Sequence, residues 1–121
     1  MIKVIGITGG IGSGKTTLSN YLTKIGFAVH ESDKVVLSMY NKPKKSFINF
    51  LKKNISKDVV KQKNIYKKKI AEIVFNNQKT RKMLENYIHK EVRTARESFI
   101  KKNHKNKKGV IFVDIPLMFE K

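Results

Sequence analysis

Ile2-Lys3-Val4-Ile5-Gly6-Ile7-Thr8-Gly9-Gly10-Ile11-Gly12-Ser13-Gly14-Lys15-Thr16-Thr17 is the stretch that decides how this chain of 121 residues is read. Ile2 to Thr8 is a short β-branched run ending in glycines, which predicts a buried strand. Gly9 to Thr16 fits the spacing G-x-x-x-x-G-K-[ST], with a strand pattern before it and a helical one after it. The spacing has a physical reason. Glycines let the backbone curl so that successive N–H groups point inward at phosphate oxygens, and the amino end of the following helix adds favourable dipole charge. Lys15 is then within reach of the β- and γ-phosphates as a point charge, and the hydroxyl of Thr16 suits Mg²⁺. A glycine-rich turn that binds nothing is the plain alternative, and the match at every defined position in the right context disfavours it.

Outward from this loop, Thr16 to Lys24 carries Leu18, Tyr21 and Leu22 on one helical face, and Gly26 stands where a C-cap belongs. Phe27 to Val29 is a second strand candidate, and Asp33 is placed to cap a helix running to about Tyr40. Pro43 sits where a first helical turn tolerates it, ahead of the helically spaced Phe47, Ile48, Phe50 and Leu51 of Lys44 to Asn54. Ile65, Ile70, Ile73 and Val74 repeat that pattern over Ile65 to Phe75. The longest helical pattern is Gln78 to Lys102, where Leu84, Ile88, Val92, Ala95 and Phe99 form one stripe. After Gly109, Val110 to Asp114 predicts a third strand ending in a carboxylate. Tyr87 and the Phe side chains are expected in the core, and no internal repeat or low-complexity linker interrupts the chain. The class predicted is α/β, a three-layer core on a parallel sheet that opens with its phosphate-binding loop.

Charge is the loudest compositional feature: 27 basic against 9 acidic residues, a net +18. Of the 27, 24 are Lys and only Arg81, Arg93 and Arg96 are Arg. A reader of nucleic acid would use more of Arg's planar fork, so no specific nucleic-acid partner is expected. Weak, salt-sensitive sticking to polyanions is expected instead. Lys42 to Lys69 holds eleven lysines against the single acid Asp58 and reads as a charged helical segment. With no cysteine, a disulfide framework, a thiolate nucleophile and a cysteine-built zinc site are excluded. No apolar run approaches the roughly 18 residues of a membrane span, and Lys3 interrupts the first apolar stretch, so no signal peptide is read there. A cytoplasmic protein with no membrane partner is the expectation.

Three further positions carry candidate chemistry. Glu31-Ser32-Asp33 follows the second strand, where an open α/β sheet faces its ligand crevice. A carboxylate there suits deprotonation of an attacking hydroxyl, and Glu31 suits Mg²⁺-bound water; Asp33 as a mere helix cap is an equal reading from position alone. Asp114 ends the third strand, where P-loop proteins keep an acid that supports Mg²⁺. His89 lies beside Ile88 of the long stripe and by itself reads as a packing histidine, while His30 and His104 carry no functional argument.

Taken together, Ile5 to Thr17, Glu31-Ser32-Asp33, Ile73-Val74-Phe75, Leu84-Glu85 with Ile88-His89, and Asp114-Ile115-Pro116-Leu117-Met118-Phe119-Glu120 resemble the dephospho-coenzyme A kinase family in order and spacing. The loop is shared by many families; its T-G-G-I-G-S-G-K form and the D-I-P-L-x-F-E block are far more specific. The resemblance implies transfer of the ATP γ-phosphate to the ribose 3′-hydroxyl of dephospho-coenzyme A, with ATP and Mg²⁺ as cofactors. It assigns ATP to Ile11, Gly12, Ser13, Gly14, Lys15, Thr16 and Thr17, metal support to Thr16 and Asp114, catalysis to Asp33 and Lys15, and substrate contacts to Asp33 and His89. It implies a single kinase domain with its core at residues 1–32 and 109–121 and a helical, acceptor-binding insertion at about 33–104.

The chain also departs from the family pattern. Glu31 stands where the family has Asp, and His89-Lys90 stands for His-Pro. Lys67 or Lys68 stands for an Arg, which loses bidentate phosphate geometry. The sequence stops at Lys121, after the Pro116 block, whereas the family continues with further strands and an Arg-bearing lid. The expectation is therefore a shortened kinase domain with an exposed sheet edge, impaired turnover, and a separately encoded C-terminal half as a candidate partner. The rival readings are a P-loop kinase for another small hydroxyl or nucleotide, separable by acceptor competition, and a non-catalytic phosphate-binding fragment. Nucleic-acid binding through the lysine surface ranks last.

Overall fold

A computed structural model describes residues 3–9, 15–105 and 109–116. In chain order the elements are β1 (Lys3–Gly9), α1 (Lys15–Lys24), β2 (Ala28–His30), α2 (Ser32–Asn41), α3 (Lys45–Asn54), a single 3₁₀ turn (Lys57–Val59), β3 (Val60–Lys61), β4 (Asn64–Ile65), α4 (Lys67–Phe75), α5 (Gln78–Lys105) and β5 (Val110–Pro116). The class is α/β with a parallel sheet, as the sequence predicts. The chain divides into two compact units, Met1–Lys34 with Glu91–Lys121, and Val35–Lys90, so the division falls within α2 and within α5.

In the first unit, β5 lies between β1 and β2 and runs parallel to both. As a central strand it reads as a near-continuous apolar run; Ile111 and Val113 are buried on one face, and on the other Phe112 is half-buried and Asp114 buried. β1 is less buried than its composition predicts. Among its described side chains only Ile7 is buried, and Val4 is 41% exposed. The reason is topological: among the described residues β1 pairs on one side alone.

Gly26 ends α1 as expected, with φ +102°. The N–H of Phe27 donates to the carbonyl of Leu22 at 3.0 Å and that of Gly26 to Thr23 at 3.1 Å, the paired bonds of a Schellman motif. α2 begins at Ser32, one residue before the expected cap, so Asp33 is not the N-cap but a first-turn residue. Its negative charge there complements the helix dipole.

The second unit is built on α3, whose Phe47 and Leu51 are buried with Val59, Val60, Ile70 and Leu84. Leu51 is fully enclosed, a burial worth about 1.5–3 kcal/mol relative to exposure. Tyr87 stacks on Phe50 with ring centroids 4.2 Å apart and on Phe47 at 5.4 Å, and Tyr40 meets Phe47 edge-on at 5.5 Å. Burial pushes the Tyr40 phenol upward in pKa. Phe75 corrects the expectation that every Phe is core: at the end of α4 it is 84% exposed, one step past the inward-facing Ile70, Ile73 and Val74. The first turn of α4 holds Lys67, Lys68 and Lys69 and no acid, a charge pattern the helix dipole opposes. Two of these ammonium groups lie near aromatic faces, Lys67 at 5.2 Å from the Tyr40 ring centre and Lys69 at 5.3 Å from that of Tyr66. Among the described residues, no helix is long and apolar enough to cross a membrane.

Candidate functional site

The parallel sheet sets the site, because strands that run the same way end at the same edge. Pairing of Ile7 with Asp114 and of Gly9 with Pro116 brings the carboxyl ends of β1 and β5 together, and pairing of His30 with Val113 brings in the end of β2. In an open α/β sheet this edge is where ligands sit. β1 ends at Gly9, the first residue of the glycine-rich motif, and α1 starts at Lys15. The positions Ile11, Gly12, Ser13 and Gly14, and the side chains of Lys15 and Thr16, lie outside the described residues. Thr17 is an exposed residue in the first turn of α1.

Asp114 is 3% exposed. The N–H of Ser32 donates to its Oδ1 at 2.9 Å, and the Ser32 hydroxyl donates to its backbone carbonyl at 3.1 Å. These bonds join residues 82 apart in sequence and fasten the turn after β2 to the end of β5. Glu31 is drawn down to the surface of that turn, its carboxylate 2.6 Å from the Lys34 ammonium, while Asp33 projects exposed from α2. The structure thus gathers Asp114 and the Glu31–Asp33 turn at one edge. His89 belongs to the second unit, half-buried on α5 next to Ile88 of that unit's core.

Two residues at this edge escaped the sequence reading. Ser32 is fully buried between two acids, and nothing in its local pattern shows that its hydroxyl reaches a strand end so far along the chain. His30 is 8% exposed, its ring centre 5.3 Å from that of Phe99. Burial lowers its pKa below 6.5, the Asp114 and Glu31 carboxylates opposing and the Arg96 guanidinium adding to the effect.

Mg²⁺ is held by one or two carboxylates together with phosphate oxygens and water, not by an all-protein cage. A single buried carboxylate at the strand end fits that donor set. Among the described residues no group of three or more His, Cys, Asp or Glu gathers as a cage for a metal.

A family model described as dephospho-CoA kinase matches residues 3–121. The dephospho-CoA kinase of Fusobacterium nucleatum is 38% identical over 120 residues, covering 98% of this chain and 60% of that protein. That of Buchnera aphidicola is 35% identical over 126 residues, covering 100% of this chain and 56% of its own length. Among solved structures, a dephospho-CoA kinase from Campylobacter jejuni superposes with a TM-score of 0.77 at 30% identity, over 99% of this chain and 60% of that one. A Thermus thermophilus structure does so with a TM-score of 0.70, also at 30% identity. This chain spans about 60% of the length of the curated relatives it matches. A family match over nearly every residue, relatives that agree in name, and a fold that superposes on a dephospho-CoA kinase structure lead to one conclusion: the chain belongs to the dephospho-CoA kinase family.

Proposed function

We propose that this chain provides the ATP side and the catalytic base of a dephospho-coenzyme A kinase. The observation that carries the proposal is the gathering of buried Asp114 and exposed Asp33 at the sheet edge where β1 ends, just before the glycine-rich stretch of sequence. Gly12 to Thr17 hold the phosphates of ATP, and Lys15 offsets charge on the transferred group. Thr16 and Asp114 hold Mg²⁺, which when bound neutralises charge on the phosphate oxygens. Asp33 accepts the proton of the acceptor's ribose 3′-hydroxyl as that oxygen bonds to the γ-phosphorus, and the bond from phosphorus to the β–γ bridging oxygen breaks to release ADP. An exposed carboxylate is accessible to an acceptor, as this role demands. The helical segment of about 33–104 serves the acceptor, with His89 as a contact. Lys67, Lys68 and Lys69, crowded at the positive end of α4, supply charge for its pyrophosphate.

Phosphate transfer from Mg·ATP to dephospho-coenzyme A tests the reading, with nucleosides and nucleoside monophosphates as competing acceptors. Asp33→Asn should lower turnover by about 10²–10⁴-fold with the fold intact, since the residue is exposed. Lys15→Ala should abolish transfer. Turnover by this chain alone is expected to be low, and to rise when a polypeptide covering the rest of the relatives' length is supplied. Preference for a nucleoside over dephospho-coenzyme A would replace this acceptor with another.

A further inference from the structure

The turn after β2 does more than follow a strand. Among the described residues the ladder between β2 and β5 runs as far as His30 and Val113, and the next residue of β5 is Asp114. Ser32 bonds to it twice: its hydroxyl donates to the Asp114 carbonyl at 3.1 Å, and its N–H donates to the Asp114 carboxylate at 2.9 Å. It is fully buried, so neither bond competes with water. The bond to Oδ1 restrains rotation of the carboxylate, and the bond to the carbonyl ties the turn to a strand whose register is already set by pairing with β1. The same two bonds fix the start of α2, and hence Asp33, relative to Asp114.

We infer that Ser32 is a positioning residue that aims the Asp114 carboxylate at the metal-bound phosphates and sets its spacing from Asp33. The inference rests on the kinase reading above. Hydroxyl loss in Ser32→Ala leaves β5 paired with β1 and the N–H bond to the carboxylate in place, but it removes one of the two ties that hold the Ser32 N–H against Asp114, so the carboxylate keeps a partner whose position is less fixed. The effect therefore falls on the metal-dependent part of nucleotide binding and not on nucleotide binding as such.

Calorimetric titration of the full chain with ATP, once with saturating Mg²⁺ and once with EDTA, reads this out as the ratio of the two affinities. Ser32→Ala should cut the Mg²⁺ enhancement by about fivefold, the worth of one buried hydrogen bond, while leaving ATP affinity in EDTA within about twofold. Asp114→Asn should remove the enhancement, and adding Ser32→Ala to it should cost nothing more, because the two act as one unit. If Ser32→Ala keeps the full enhancement while Asp114→Asn abolishes it, the positioning role is wrong and the kinase reading stands. An equal loss with and without Mg²⁺, together with a lower melting temperature, also overturns it, in favour of a purely structural serine. No Mg²⁺ enhancement in the unsubstituted chain sinks the kinase reading itself, and the inference with it. Should Ser32→Ala fail to fold, Ser32→Cys, of similar volume but a weak donor, carries the same comparison.

Discussion

His30 closes β2 with a buried imidazole whose two nitrogens find no hydrogen-bond partner among the described residues. A ring so placed is cheaper neutral than charged, which is why burial lowers its pKa from 6.5 against the pull of Asp114 and Glu31. The sign of the linkage follows. Between the lowered folded value and 6.5 the unfolded chain takes up a proton that the folded chain refuses, so stability rises with pH across that window. It is lost as pH falls from about 6.5 toward the folded value, with a slope of at most about 1.4 kcal/mol per pH unit. Urea unfolding at about pH 5.5 and 7.5 should give a lower midpoint at the acid value. His30→Phe, which keeps an aromatic partner for Phe99, should flatten that difference; an unchanged difference would mean that other groups set it.

At the scale of elements, two glycines make opposite predictions. Gly26 holds φ +102° to end α1, and a Cβ added there meets nothing within 4 Å. The whole cost of Gly26→Ala is therefore backbone conformation, about 1–2 kcal/mol. A Cβ on Gly109, before β5, also meets open space, but its φ is not in the left-handed region. Gly109→Ala should be neutral or stabilise by about 0.4–1 kcal/mol, because it restricts the unfolded chain. Denaturant midpoints of the two variants check both signs at once. The hairpin of β3 and β4 shows the reverse situation: Gln62 sits at φ 58° where a glycine or asparagine would be easier.

For the whole molecule the governing quantity is a net charge of +18 on 121 residues. Nine acids cannot neutralise 27 bases, and the exposed Arg81–Glu85 pair at 3.7 Å is too open to contribute much. Self-repulsion disfavours the compact state, and salt screens it. The melting temperature should therefore climb as NaCl rises from about 0.01 to 0.3 M, where the Debye length shrinks from roughly 30 Å to below 10 Å. A melting temperature that stays flat would show that the lysines are spaced widely enough to be screened already. The same charge makes binding to nonspecific polyanions fall away over that range.

The features legible in the sequence are those decided by neighbours along the chain. The β-branched run before Gly9 marks β1, the stripe from Leu84 to Phe99 marks α5, and the apolar run at Val110 marks β5. Each follows from local sterics or from a period of 3.6 or 2. The β3–β4 hairpin was not legible, because Gln62-Lys63 carries no turn signal and its conformation is imposed by packing around Val59 and Val60. Nor was the exposure of Phe75, since periodicity names a stripe but not where a helix ends relative to its core. In the candidate site, Asp33 and Asp114 stand out from the chain as candidates, whereas Ser32 as the tie between the turn after β2 and the end of β5 does not. That bond depends on β5 returning to lie between β1 and β2, an arrangement no stretch of neighbouring residues encodes. Which residues form strands and helices is a local matter of dihedral freedom and periodicity; which carboxylates meet is decided by the pairing of strands far apart in sequence, and only the tertiary structure supplies it.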